Sequence, residues 1–252
     1  MSSQKLGAGL IGGVAVVTVF LAAFGDDGGP IWSYDGKDGP EFWGTLSEDY
    51  ATCDTGHFQS PFDLHADVTA DLPSLEFAYG EVPLAVTHTG NTLEVHVPKG
   101  NVMTVDGVAY ELSKLQFHTP SEFTIDGHSF PMAMDLVHTA DDGTYGIVGV
   151  MLEIDEDHPT IERLWEVAPK SRSTVSSDEV FEISTLLPAN GDYMRFMGSL
   201  TAPPCTEAVN WHMMTTPVTI SADQVAAFEA IFPMNARPLQ DENHRLVVSD
   251  SH

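Results

Sequence analysis

The sequence predicts a β-dominated domain with a large central sheet and short peripheral helices, preceded by one transmembrane helix. Three observations predict it. Period-two alternation runs through the middle of the chain. A hydrophobic content of 42% over 252 residues supplies the core of one large domain. An uncharged apolar run fills positions 6–25.

The apolar run reads LGAGLIGGVAVVTVFLAAFG. At about 1.5 Å per residue it spans the roughly 30 Å hydrocarbon core of a bilayer. Lys5 precedes it, and Asp26 and Asp27 follow, so the positive-inside rule places residues 1–5 in the cytoplasm and the domain outside. A signal peptide has a shorter apolar core and a small-residue cleavage site, and Ala23-Phe24-Gly25 offers one. The length favours a retained single-pass anchor over 6–25. Gly7, Gly9, Gly12 and Gly13 would let it pack closely on another membrane helix, although glycine is common in such helices anyway. Residues 26–30 form a Gly-rich linker, and the folded domain is expected over 31–252.

Within that domain Thr92–Val97 alternates, and a turn follows at Pro98–Asn101. Val102–Val105 and Val108–Leu112 flank Asp106-Gly107, a hairpin signal. Leu115–His118, Ala133–His138 and Gly146–Ile154 read as further strands. Helical pattern is confined to Ile161–Val167 and Ser221–Ile231, with Ser221 as N-cap.

Charge narrows the function. The chain carries 37 Asp+Glu against 10 Lys+Arg, a formal charge of -27. Such a surface repels nucleic acid and anionic lipid headgroups. It is a solubility or high-salt device, or it attracts a basic partner surface. Cys53 and Cys205 are the two cysteines. In an exported protein an even count suggests a disulfide, with two buried free thiols as the alternative.

Ordered motifs then carry a resemblance. Trp32-Ser33-Tyr34, Gly39-Pro40 and Trp43 open the domain, and Cys53 is followed by Gln59-Ser60-Pro61-Phe62. His118-Thr119-Pro120-Ser121-Glu122 and Leu136-Val137-His138 occupy the middle. Gly198-Ser199-Leu200-Thr201-Ala202-Pro203-Pro204-Cys205 and Asn235-Ala236-Arg237-Pro238-Leu239-Gln240, with Asn243 and Arg245, close the series. In this order they resemble the α-class carbonic anhydrases. The resemblance implies a twisted, mostly antiparallel central sheet with an active-site cone at its centre. It also implies a Cys53–Cys205 disulfide.

In that family three imidazoles hold zinc, and the metal lowers the pKa of a bound water to about 7 for attack on carbon dioxide. Two ligands lie at i and i+2, because alternate strand residues share a face. Here those positions are Gln116 and His118, and the third is Asp135. One histidine survives. Lys114 and Ala133 stand where the family has a Gln and a Glu that orient ligand imidazoles, and neither side chain accepts a hydrogen bond. Asn91 matches the proton-shuttle position and cannot titrate, with His88 nearby in sequence. Thr201 matches the threonine that orients the attacking hydroxide, and Glu122 the carboxylate that accepts that threonine's proton. Val137, Ile147, Leu200 and Trp211 match the apolar wall. His138 matches a structural histidine and Phe123 replaces another, while His96 and His212 read as surface or core residues.

The expectation is therefore a membrane-anchored, extracytoplasmic pseudoenzyme without zinc or other cofactor, with Thr201 and Glu122 as remnants. It would dock into a membrane complex through its anchor and domain surface, on the periplasmic, lumenal or extracellular side. Two alternatives stand beside it: an active carbonic anhydrase with a metal centre built on His118, Asp135 and Gln116, and an anion or small-ligand sensor using Lys114.

Overall fold

The structure, a computed structural model, describes residues 18–20 and 31–251. Eight strands make up the main run of the sheet: β1 (Glu81–His88), β2 (Leu93–His96), β3 (Val108–His118), β4 (Met132–Ala140), β5 (Tyr145–Ile154), β6 (Ser173–Glu182), β7 (Tyr193–Ser199) and β8 (Glu207–Met214). They lie in the order β6-β1-β2-β3-β4-β5-β8-β7 within a sheet of 14 strands among the described residues. Every neighbouring pair in this order is antiparallel except β5 and β8, which run parallel, so the sheet is mixed.

The Asp106-Gly107 turn forms as expected, with both residues at positive φ (53° and 74°), as a type I′ hairpin requires. Val108–Leu112 and Leu115–His118, read as two strands, are one. Ser113 is the reason. The β3–β4 register slips there, and the Ser113 hydroxyl donates to the Val137 carbonyl. A bulge reverses the parity of the residues beyond it. Tyr110 and Leu112 face the core before it, and Leu115 and Phe117 do so after it. Lys114, Gln116 and His118 are thereby turned onto the opposite face.

Two short helices cover the Leu115 face. One, α1 (Pro159–Val167), has Pro at its first turn and His158 as N-cap. The other, α2 (Ala222–Glu229), has the expected Ser221 cap, completed as a capping box by Gln224. Ile161, Leu164 and Phe228 pack with Leu115, Phe117, Met134, Leu136, Val148 and Val150 in the larger core. The other face carries a smaller core of Phe62, Phe123, Val137, Ile147, Phe196 and Trp211. Phe123 sits there among the rings of Phe62, Phe196 and Trp211, so an apolar ring suits its position.

Cys53 and Cys205 are bonded, with Cα atoms 5.0 Å apart, which settles the choice between disulfide and free thiols. Apart from Thr18–Phe20, a short strand paired with β6, the anchor expected over 6–25 lies outside the described residues, as does the 26–30 linker. No helix among the described residues is long and apolar enough to cross a membrane.

Candidate metal centre

Register assembles the site. Glu94 of β2 pairs with Gln116 of β3, and Gln116 pairs with Asp135 of β4, so the three form a row across adjacent strands. His118 lies two residues beyond Gln116, on the same face, opposite Ala133. Together with the Leu200–Pro203 loop they line a cleft of about 390 Å³.

His118 is prepared at one nitrogen and open at the other. Its Nδ1 lies 2.9 Å from the Asn235 carbonyl oxygen. A carbonyl only accepts, so Nδ1 carries the proton and Nε2 presents a lone pair. Asn235 is itself clamped: it accepts from the Thr119 N–H and donates to the carbonyls of Phe117 and Asn91. The buried Nε2 has no hydrogen-bond partner. It lies 3.6 Å from Glu122 Oε2 and 3.9 Å from Asp135 Oδ2.

Both carboxylates are buried. Burial pushes Glu122 up to about 7, against the Thr201 hydroxyl, the Arg237 N–H and the Arg237 charge, which favour its ionised form. Burial likewise pushes Asp135 up to about 7, with His118 lowering it and Glu122 raising it. Tyr34, at the cleft wall, is raised well above the usual phenol value by burial and then by the negative charge of Glu122 and Asp135. Two carboxyls and one imidazole lone pair in low dielectric form a site whose charged state asks for a cation.

Lys114 faces the cleft but is no free cation. Its Nζ donates to Glu94 Oε1 at 2.8 Å, and the Gln116 side-chain amide donates to the same oxygen at 2.8 Å. Opposition of Lys114 to a metal is thus largely cancelled by Glu94, a residue that no sequence motif marks. Val137, Ile147 and Leu200 line the apolar side of the cleft. Trp211 is buried behind it and donates to the Ser199 carbonyl. Thr201 lines the cleft and is buried, and Asn91 stands in its wall, half-buried. His88 is turned away. Its Nδ1 accepts from the Gly90 N–H, its ring lies 4.6 Å from that of Phe232, and burial lowers its pKa. His138 is structural, bonded to the Tyr79 hydroxyl and the Gly146 carbonyl. His96 is exposed, and His212 is a core residue held neutral, its pKa pushed down to about 4 chiefly by burial.

The residues fit a divalent ion such as zinc. The partner-free, buried Nε2 of His118 and Oε2 of Glu122, with the Asp135 carboxyl, are donor types that zinc takes, and their ligand atoms all lie within 4.8 Å of one another. Lys114 and Ala133 weigh less than they do by sequence. They stand in for acceptors to ligand imidazoles, and Gln116 and Asp135 carry no imidazole N–H to be accepted. The orienting carbonyl for the surviving imidazole is in place at Asn235.

A mixed sheet thus carries a buried histidine–carboxylate group beside a cleft lined in part by apolar residues. The model of the eukaryotic-type carbonic anhydrases matches residues 38–251, and the chain belongs to that family. It is 38% identical to a carbonic anhydrase of Neisseria gonorrhoeae over 219 residues, covering 86% of this chain and 87% of the relative. It is 37% identical to a carbonic anhydrase of Nostoc sp. over 224 residues, 86% of this chain and 85% of the relative. The α-carbonic anhydrase of Thermovibrio ammonificans, solved with sulfanilamide, superposes with a TM-score of 0.85 at 34% identity, covering 87% of this chain and 99% of that one.

These relatives overturn the expectation of an inactive docking subunit of a membrane complex, and with it the expectation of no enzyme and no cofactor. The physical source of the error is plain. Counting imidazoles left one ligand, whereas the fold brings three buried ligand atoms together at His118, Glu122 and Asp135.

Proposed function

We propose that the domain catalyses the reversible hydration of carbon dioxide at a divalent metal, zinc by kinship, held by His118 and Asp135. One observation carries the reading: a buried imidazole whose tautomer is fixed by Asn235 aims an unpartnered Nε2 at two buried carboxyls. The metal, when bound, supplies Lewis acidity that makes hydroxide available near neutral pH.

The chain's own residues do the rest. Val137, Ile147 and Leu200 offer an apolar surface for a small nonpolar substrate beside the centre. Thr201, buried in the lining beside Leu200, would hold the nucleophile by its hydroxyl. Glu94 and Lys114 neutralise each other along the cleft and leave the Asp135 charge to the centre. With Asn91 in the wall and His88 turned away, no histidine besides His118 lines the cleft among the described residues, so protons leave without a rim imidazole.

Zinc content by mass spectrometry and carbon dioxide hydration by stopped flow test this reading. Stoichiometric zinc with a rate above the uncatalysed reaction is expected. A protein that stays metal-free after incubation with zinc, with no rate above blank, sinks it. The Cys53–Cys205 bond supports placement of the domain outside the cytoplasm. Reduction-sensitive electrophoretic mobility of protein from whole cells is the check.

A further inference from the structure

We infer that Glu122, not Gln116, is the third protein ligand of the metal. This rests on the reading of the cleft as a metal-dependent hydratase and goes beyond it by assigning the ligand set.

Position argues first. Ligand atoms held at about 2.0–2.1 Å around a tetrahedral zinc sit roughly 3.3–3.4 Å apart. His118 Nε2 lies 3.6 Å from Glu122 Oε2 and 3.9 Å from Asp135 Oδ2, within a few tenths of an ångström of two such edges. The three residues are 3%, 4% and 6% exposed for His118, Glu122 and Asp135, so water does not serve these atoms as it would on a surface.

Unmet bonding argues next. Glu122 Oε1 accepts the Arg237 N–H at 3.1 Å, which fixes the plane of the carboxyl. Oε2 is left without a hydrogen-bond partner, as is His118 Nε2 across from it. The Thr201 hydroxyl lowers the carboxyl's pKa from nearby but does not reach Oε2 in hydrogen-bond geometry. Buried polar atoms without hydrogen-bond partners are rare, and two of them 3.6 Å apart suit a shared cation.

Gln116 is held from one side. Its amide nitrogen donates to Glu94 Oε1, which also accepts from Lys114, so only its carbonyl oxygen is left to face the centre. Its neutral carbonyl is also a weaker zinc donor than a carboxylate.

The test uses the full chain, stripped of metal by chelator and reloaded with Zn²⁺, and separately with Co²⁺ for its visible spectrum. Glu122→Gln keeps the size and the acceptor for Arg237 N–H but removes the charge. Glu122→Gln is expected to weaken Zn²⁺ binding more than about hundredfold and Gln116→Ala to leave it within about threefold, measured by competition with a chelating dye. The Co²⁺ spectrum is expected to change in E122Q and to persist in Q116A. Unchanged affinity and spectrum in E122Q overturn the inference, as does loss of metal in Q116A. If near-UV circular dichroism shows E122Q unfolded, Q116A decides alone: retained metal supports the assignment and lost metal refutes it. A wild-type chain that takes up no Zn²⁺ overturns this inference together with the hydratase reading. A wild-type chain that binds Zn²⁺ regardless of Glu122 overturns this inference alone.

Discussion

The two faces of the β3–β4 pair are built from the same strands and obey different rules. On the helix side, Leu115, Phe117, Met134 and Leu136 are fully buried in one continuous apolar core. Any well-fitting hydrophobic set serves there, because burial is non-directional. On the cleft side, Gln116, His118 and Asp135 alternate with them and carry polar atoms whose value depends on specific partners at specific distances. The lesson is that stability and chemistry are divided residue by residue along one strand. Burying Asp135 and Glu122 is a cost the apolar face must offset.

The sharpest way to break this division is on the apolar side. Phe117 packs on Trp165 and Phe228. Phe117→Ala is expected to lower unfolding free energy by about 3–5 kcal/mol in urea titrations while each folded molecule still binds one Zn²⁺. On the cleft side, Gln116→His and Asp135→His made together with Lys114→Gln and Ala133→Glu, which return the acceptors for both imidazoles, are expected to tighten Zn²⁺ binding by about 10–100-fold, read by chelator competition. Tightening below that range would show that the cleft has been rebuilt around carboxylates.

A pH experiment separates the faces next. Glu122 and Asp135 in the folded chain titrate near 7, above unfolded carboxyls at about 4. The folded state therefore binds more protons than the unfolded one between these values. Its stability, without metal, is full below about pH 4 and is lost as pH rises through 7. His138 works in the opposite sense. Burial holds it at about 4, so its share of stability is present above about 6.5 and lost as pH falls through 4. Metal-free Asp135→Asn is expected to be more stable than the wild type at pH 8 by about 1–3 kcal/mol, with the gap shrinking through pH 5 and nearly closed below about pH 4, by urea titration across that range. The smallest effect belongs to Lys114→Met. It breaks a pair in which Lys114 is 32% and Glu94 12% exposed, with Glu94 still bonded to Gln116, and is expected to change stability by about 1 kcal/mol.

Much of the fold was readable because alternation is a direct image of a half-buried strand. The hairpin at Asp106-Gly107, β4 and β5, and both helices follow from local pattern. β1, β6, β7 and β8 were not among the strands read from the sequence, and two of them escaped for physical reasons. Pro83 interrupts β1, and most of β6 is polar and only partly buried. The bulge at Ser113 disguised one strand as two, since its effect is a change of parity and not of composition. At the site, Gln116, His118 and Asp135 were legible from motif order. Glu94 was not, because an acidic residue on an alternating strand reads as its solvent side. Glu122 was read only in its family role, since nothing in HTPSE says that the chain after β3 folds back until the carboxyl meets the imidazole four residues earlier.

Asn235 stands 117 positions after His118 and decides which of its nitrogens holds the proton. Synthesis runs from the N-terminus, so every strand of the β3–β4 pair exists before that carbonyl does. Until the last stretch of chain arrives and docks, that carbonyl does not hold the His118 ring, and a chain cut short before Asn235 would keep the β3–β4 pair but lack the group that fixes the tautomer.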